Sequence, residues 1–92
     1  MSYFQPLISI CIPAYNRPDE LYRLLNSIDS KQLDKIEIII CEDKSAKRNQ
    51  INQIASQFVN DSDVKLKYFE NSENLGYDKN IKELITKATG DF

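Results

Sequence analysis

The chain has no histidine and only two cysteines, Cys11 and Cys41, in 92 residues. Without histidine or a CxxC pair, a Cys/His metal site is excluded. Each cysteine sits inside an apolar run that reads as a strand, so both are expected to be buried free thiols. Excess charge is also missing: 12 basic and 14 acidic side chains leave a net charge of −2. That balance gives no electrostatic footprint for nucleic acid and no basic patch for a membrane surface. Long apolar runs are absent too. Met1 to Gln5 is short and polar, and the first apolar run, Leu7 to Ile12, is too short for a leader or a bilayer span. A cytoplasmic chain is the expectation. No internal repeat and no low-complexity linker interrupts the sequence, and its length allows one domain at most.

Against these absences stands a regular alternation of two patterns. Leu7 to Ile12 and Ile36 to Cys41 are nearly continuous apolar runs rich in isoleucine. Such runs suit strands covered on both faces of a parallel sheet. Val64 to Phe69 alternates apolar residues with lysines, which predicts a half-exposed edge strand. Three segments repeat the i, i+3, i+4, i+7 spacing of an amphipathic helix. They are Leu21/Leu24/Leu25/Ile28, Ile51/Ile54/Ala55/Phe58 and Ile81/Leu84/Ile85/Ala88. Pro18 followed by Asp19 and Glu20 suits a helix start, and Lys87 followed by Gly90 suits a helix end. The order β-α-β-α-β-α predicts an α/β fold with a mainly parallel sheet. Right-handed crossovers would put the first two helices on one face. A fourth strand on the far side of the first would send the third helix to the opposite face, in the order 3-2-1-4. The sequence stops at Gly90-Asp91-Phe92, where a fourth strand should begin, so the chain reads as cut off before strand four.

Open α/β sheets bind ligands at the carboxyl ends of strands beside the point where strand order reverses. Three segments fall there: Pro13 to Pro18, Glu42 to Ser45, and Asn71 to Asn80. They carry a series of motifs. Ile8 to Arg17, ISICIPAYNR, resembles the opening "VSIxIPxYNR" of family 2 glycosyltransferases. Ile36 to Ser45, IEIIICEDKS, resembles the family's "xEIIxxDDxS". Asn74-Leu75-Gly76 resembles its "NxG", and Ala88 to Phe92 its "AxGxY/F". Each motif is weak alone, but four in family order at family spacing cover nearly the whole chain. The resemblance implies a Rossmann-like GT-A half-domain over residues 1–92, the N-terminal nucleotide-sugar-binding part, truncated before the metal-binding Asp-x-Asp motif.

The resemblance also assigns roles. Pro13, Ala14 and Tyr15 would line the nucleoside, the Tyr15 ring stacking on the base; the alternative is a buried structural tyrosine. Asp43 would accept the N3–H of a uracil, against the alternative of a solvated acidic turn. Glu42 stands where the family usually has Asp and would support the loop or touch ribose. Arg17 either meets the diphosphate or is an exposed turn residue. Asn74 and Gly76 would form a tight turn that lets backbone approach the nucleotide, or else a plain loop. Where many family members carry "ARN" in the third helix, this chain has Asn80-Ile81-Lys82, so the arginine is replaced by Ile81. Asp61-Ser62-Asp63 copies the letters of a metal motif but precedes the third strand, at the wrong end of the sheet; it reads as a polar turn.

The implied parent enzyme transfers a sugar, with inversion, from a nucleoside diphosphate-sugar, UDP-linked or similar. Its acceptor would be a glycan or a lipid-linked molecule in cell-surface polysaccharide synthesis, at the inner face of the membrane. Mn²⁺ or Mg²⁺ would serve the parent, with neither metal ligands nor catalytic base in these residues. Two other readings remain: a non-catalytic nucleotide-binding α/β module, and a receiver-like signalling domain. The second would place its acidic pair after strand one, whereas here the pair follows strand two. The open edge of strand one is expected to favour self-association.

Overall fold

The computed structural model describes residues 8–28, 36–61 and 65–89. Its elements are β1 (Ile8–Ala14), α1 (Pro18–Asn26), β2 (Ile36–Glu42), α2 (Arg48–Asp61), β3 (Lys65–Glu70) and α3 (Tyr77–Lys87). The three strands form one parallel sheet in the order β1-β2-β3. That is the expected arrangement, with β2 in the middle. Every residue of β2 is buried, which explains its unbroken isoleucine run.

Side-chain alternation along β2 divides the core in two. Ile36, Ile38 and Ile40 face α1 and α2, packing with Leu21, Leu25, Ile51 and Ala55. Ile39 and Cys41 face the other way, against Leu84 of α3, with Cys11, Phe69 and Ile81 beside them. The third helix therefore covers the face opposite the first two, as the crossover argument requires.

Several local expectations are corrected. β1 runs past Ile12, because Pro13 and Ala14 remain in register with Cys41 and Glu42. Pro13 is tolerated there because β1 is an edge strand, where a missing N–H breaks no inner ladder. β3 extends to Glu70; its expected first residue, Val64, lies outside the described residues, as do Gly90 and most of Asp61-Ser62-Asp63. Two members of the apolar stripes are not core: Leu24 is 43% exposed and Ile85 64%. Both cysteines are free thiols, but Cys11 is only half-buried because its strand is at the edge. Burial pushes both thiols above the usual range, with Glu37 adding to the effect at Cys11. Both are thereby poor nucleophiles.

At the amino end of the sheet, the carboxylate of Glu37 is almost fully buried on the α3 side of β2. Its Oε2 accepts from Ser9 Oγ at 2.7 Å, from Thr89 N at 2.7 Å and from Thr89 Oγ1 at 2.8 Å. Lys67 Nζ lies 3.3 Å from Oε1. Burial alone would raise its pKa, but the hydrogen bonds from Ser9, Thr89 and Lys67 prevail and hold it at about 2. Glu37 thus ties side chains from all three strands, and Thr89 two residues beyond α3, to one charge.

Candidate functional site

Three loops meet at the carboxyl ends of the strands, and local chemistry shapes each. In the β1–α1 turn, Asn16 takes a left-handed conformation, φ 55°, which asparagine tolerates better than most residues. Pro18 then starts α1 with its φ already suited to a helix. Asn16 Oδ1 also accepts from Lys47 N at 3.3 Å, joining this loop to the next. In the β2–α2 loop, Lys44 is likewise left-handed at φ 55°, and the carboxylate of Glu42 holds the turn. Glu42 accepts from Lys44 N at 2.9 Å, Ser45 N at 2.7 Å and Arg48 Nε at 2.5 Å. Burial would raise its pKa; the hydrogen bonds from Ser45, Arg48 and Lys44 instead lower it. Arg48 also donates to the carbonyl of Asn71, bridging to the third loop.

The third loop, between β3 and α3, is built around Asp43. Its Oδ1 accepts from Asn71 Nδ2 at 2.9 Å and from Leu75 N at 2.8 Å. Its Oδ2 accepts from Gly76 N at 2.9 Å. Its backbone carbonyl accepts from Asn74 Nδ2 at 3.0 Å, and its N–H donates to Ala14 O at 3.0 Å, tying β1 to β2. Asn80, in the first turn of α3, is buried, donates to Cys41 O at 3.0 Å and accepts from Asn71 Nδ2 at 2.8 Å. Gly76 caps α3 with φ 87° and ψ 162°, a region that is essentially glycine-only.

These loops enclose a cleft of about 590 Å³, within the usual range for small-molecule sites. Pro13, Ala14, Tyr15 and Arg17 line it from β1 and its turn; Asp43 lines it from the start of the β2–α2 loop; Asn74 and Gly76 line it from the third loop. Ile12 and Leu21 supply buried apolar surface. Of the eight residues singled out in sequence, Glu42 alone is not among the lining residues; it supports the loop from beneath. Tyr15 is 51% exposed and Asp43 only 3%. The readings of a buried structural tyrosine and a solvated acidic turn are therefore both excluded.

Sequence reasoning gave no role to five contributors, one of them Asn80, which lines the cleft from the first turn of α3. Tyr77, 73% exposed, brings a second aromatic ring to the rim, and Glu20 and Leu24 line the α1 side. Tyr77 follows the Asn-x-Gly motif directly, and that adjacency was the available signal. Asn71 does not line the cleft, yet it links Asp43 to Asn80. Only its place at the head of the third candidate segment, Asn71 to Asn80, marks it. Among the described residues no group of three or more His, Cys, Asp or Glu side chains could hold a metal ion. The divalent cation that the resemblance implies thus finds no fitting ligand set among the described residues.

A parallel sheet flanked by helices, with a cleft at its strand tips, defines an open Rossmann-like α/β domain. The comparisons narrow this. Residues 9–92 match the family described as Glycosyl transferase family 2. The chain is 36% identical over 86 residues to the abequosyltransferase RfbV of Salmonella typhimurium, covering 94% of this chain and 26% of that protein. It is 31% identical over 86 residues to the uncharacterized protein MT1568 of Mycobacterium tuberculosis, covering 94% and 25%. In structure it resembles the mannosyltransferase PcManGT from Pyrobaculum calidifontis, solved in complex with GDP-Man and Mn²⁺. The TM-score is 0.75 at 19% identity, over 96% of this chain and 26% of that one. The fold is therefore that of a GT-A glycosyltransferase, and the chain belongs to glycosyl transferase family 2. It spans about a quarter of the length of these relatives.

Proposed function

We propose that residues 1–92 form the nucleotide-recognising, N-terminal portion of a longer inverting glycosyltransferase, one that uses a nucleoside diphosphate-sugar donor. The observation that carries this reading is the meeting of Tyr15 and Asp43, from the tips of neighbouring strands, in one cleft. A half-exposed aromatic ring offers a flat face to a base. A buried carboxylate held by Asn71, Leu75 and Gly76 offers a fixed acceptor to the base edge. Pro13 and Ala14 supply backbone beside the nucleoside. Arg17 at the cleft mouth supplies positive charge for the diphosphate. The turn of Asn74 and Gly76 lets backbone come close to the ligand.

In the whole enzyme a carboxylate outside this chain takes the proton from the acceptor hydroxyl. That oxygen then forms the new bond to the anomeric carbon. The bond to the diphosphate oxygen breaks on the opposite side, and the nucleoside diphosphate leaves with the electron pair. The Mn²⁺ or Mg²⁺ ligands also lie outside the chain. The acceptor is a glycan or a lipid-linked molecule of cell-surface polysaccharide synthesis, met at the inner face of the membrane. No helix among the described residues is long and apolar enough to cross a membrane.

Titrating the isotope-labelled chain with UDP, with and without Mn²⁺, tests the reading. The amides of Tyr15, Leu75 and Gly76 should shift and no sugar transfer should be detected. Unmoved amides at millimolar UDP would defeat the proposal, and turnover by this chain alone would defeat the division of labour.

A further inference from the structure

Arg48, the first residue of α2, does not line the cleft, yet it holds loops that do. Its guanidinium gives two nitrogens to two partners. Nε donates to the carboxylate of Glu42 at 2.5 Å, and Nη2 donates to the carbonyl of Asn71. Glu42 ends β2 and Asn71 is the first residue past β3, so one side chain joins the carboxyl ends of two neighbouring strands. Asn71 N also donates to Glu42 O at 2.8 Å. Asn71 is thus gripped through both its N–H and its carbonyl.

That grip aims the Asn71 side chain. Its Nδ2 donates to Asp43 Oδ1 at 2.9 Å and to Asn80 Oδ1 at 2.8 Å, which uses both amide hydrogens. Asp43 in turn accepts from the N–H groups of Leu75 and Gly76, further along the same loop. The turn that walls the cleft is therefore held, through Asn71 and Asp43, by a residue on α2. A simpler role for Arg48 would be to neutralise Glu42, whose side chain is fully buried. Any single positive charge would serve for that. Holding Asn71 at the same time takes two donors at fixed angles on one planar group, which arginine has and lysine lacks.

We infer that Arg48 is a positioning residue for the nucleotide cleft, its hold on the Asn71 carbonyl setting the third loop in the form that binds ligand. The inference rests on the nucleotide-site reading above and adds to it a residue outside the cleft.

The test compares the unaltered 92-residue chain with Arg48→Lys and Arg48→Ala. Lysine keeps a charge beside Glu42 and gives up the second grip; alanine gives up both. Thermal unfolding, hydrogen exchange of the Leu75 and Gly76 amides, and UDP affinity are measured on each. Arg48→Lys should melt close to the unaltered chain and keep its β2 amides protected. Its Leu75 and Gly76 amides should exchange about tenfold faster, and UDP should bind about tenfold more weakly. Arg48→Ala should lose as much affinity and also melt lower, because Glu42 is left buried without its partner; if it does not fold, the lysine comparison decides. Full loop protection and full affinity in Arg48→Lys would leave Arg48 a counter-charge only and overturn the inference. A loosened loop with unchanged affinity overturns it too. Failure of the unaltered chain to bind UDP defeats the nucleotide reading itself, and the inference with it.

Discussion

Glu37 and Glu42 are both buried carboxylates on β2, and they work at opposite ends of the sheet. Glu42 shapes the loop beneath the cleft, whereas Glu37 anchors the exit from α3 far from it. The pH dependence of folding should report Glu37. Its folded pKa, about 2, is below the ordinary 4.5, so the unfolded chain binds more protons as the medium turns acid. Its contribution is fully present above 4.5 and is lost as pH falls from 4.5 through 2. Replacing Glu37 with Gln should cost about 2 kcal/mol at pH 7 in urea unfolding. The gap from the parent chain should close towards pH 2. A constant gap would mean that the charge is not what matters. Tyr15 is the contrasting case, because its ring is half in solvent and few contacts depend on it. Tyr15→Ala should leave stability within about 0.5 kcal/mol, while nucleotide affinity drops about tenfold through lost stacking. Paired thermal melts and titrations would separate the two effects.

Among the elements, the loops after the strands bring Tyr15, Arg17, Asp43, Asn74 and Gly76 to the cleft, and they are held from a distance in sequence. Gly76 shows how narrowly. A methyl group added there would meet nothing within 4 Å, so Gly76→Ala brings no clash and only the backbone conformation opposes it. With φ at 87° and ψ at 162°, the cost should be about 1–3 kcal/mol. Because Gly76 N donates to Asp43, the substitution should also weaken nucleotide binding. A substituted chain of full stability would show that the loop relaxes into another conformation. The strands, their parallel order and the helix faces were legible because long apolar periods report burial directly. Leu24 and Ile85 were misread because amphipathic spacing marks a stripe wider than a short helix buries against a three-stranded sheet. Leu24 points to the cleft instead. Most of the cleft-lining set came from motif likeness. The hydrogen bonds of Asn71 and Asn80 did not, because their partners lie up to 39 residues away in sequence, and no local pattern encodes such a bond.

At the scale of the whole molecule, the sheet is unequally protected. β2 has a neighbour on each side, whereas among the described residues β1 is paired only with β2. Its outer edge therefore offers backbone N–H and C=O groups to any strand that can reach them. The side chains do little to discourage this: Ile8 is 40% exposed, and Ile10 and Cys11 are half-buried. Pro13 blocks pairing only near the carboxyl end, since it removes one donor. β3, the other edge, is better defended, with Lys65 and Lys67 along its length. We propose that the 92-residue chain self-associates through β1. Sedimentation should show an average mass rising above 10.7 kDa with concentration. Ile8→Lys would place a charge on that edge at a half-exposed position, so it should restore the monomer without unfolding the domain. In a longer transferase a further strand beside β1 would occupy the same edge, so a chain extended by one βα unit should remain monomeric where this one does not. If the 92-residue chain stays at 10.7 kDa at millimolar concentration, the edge is closed by some other means and this account of it is wrong.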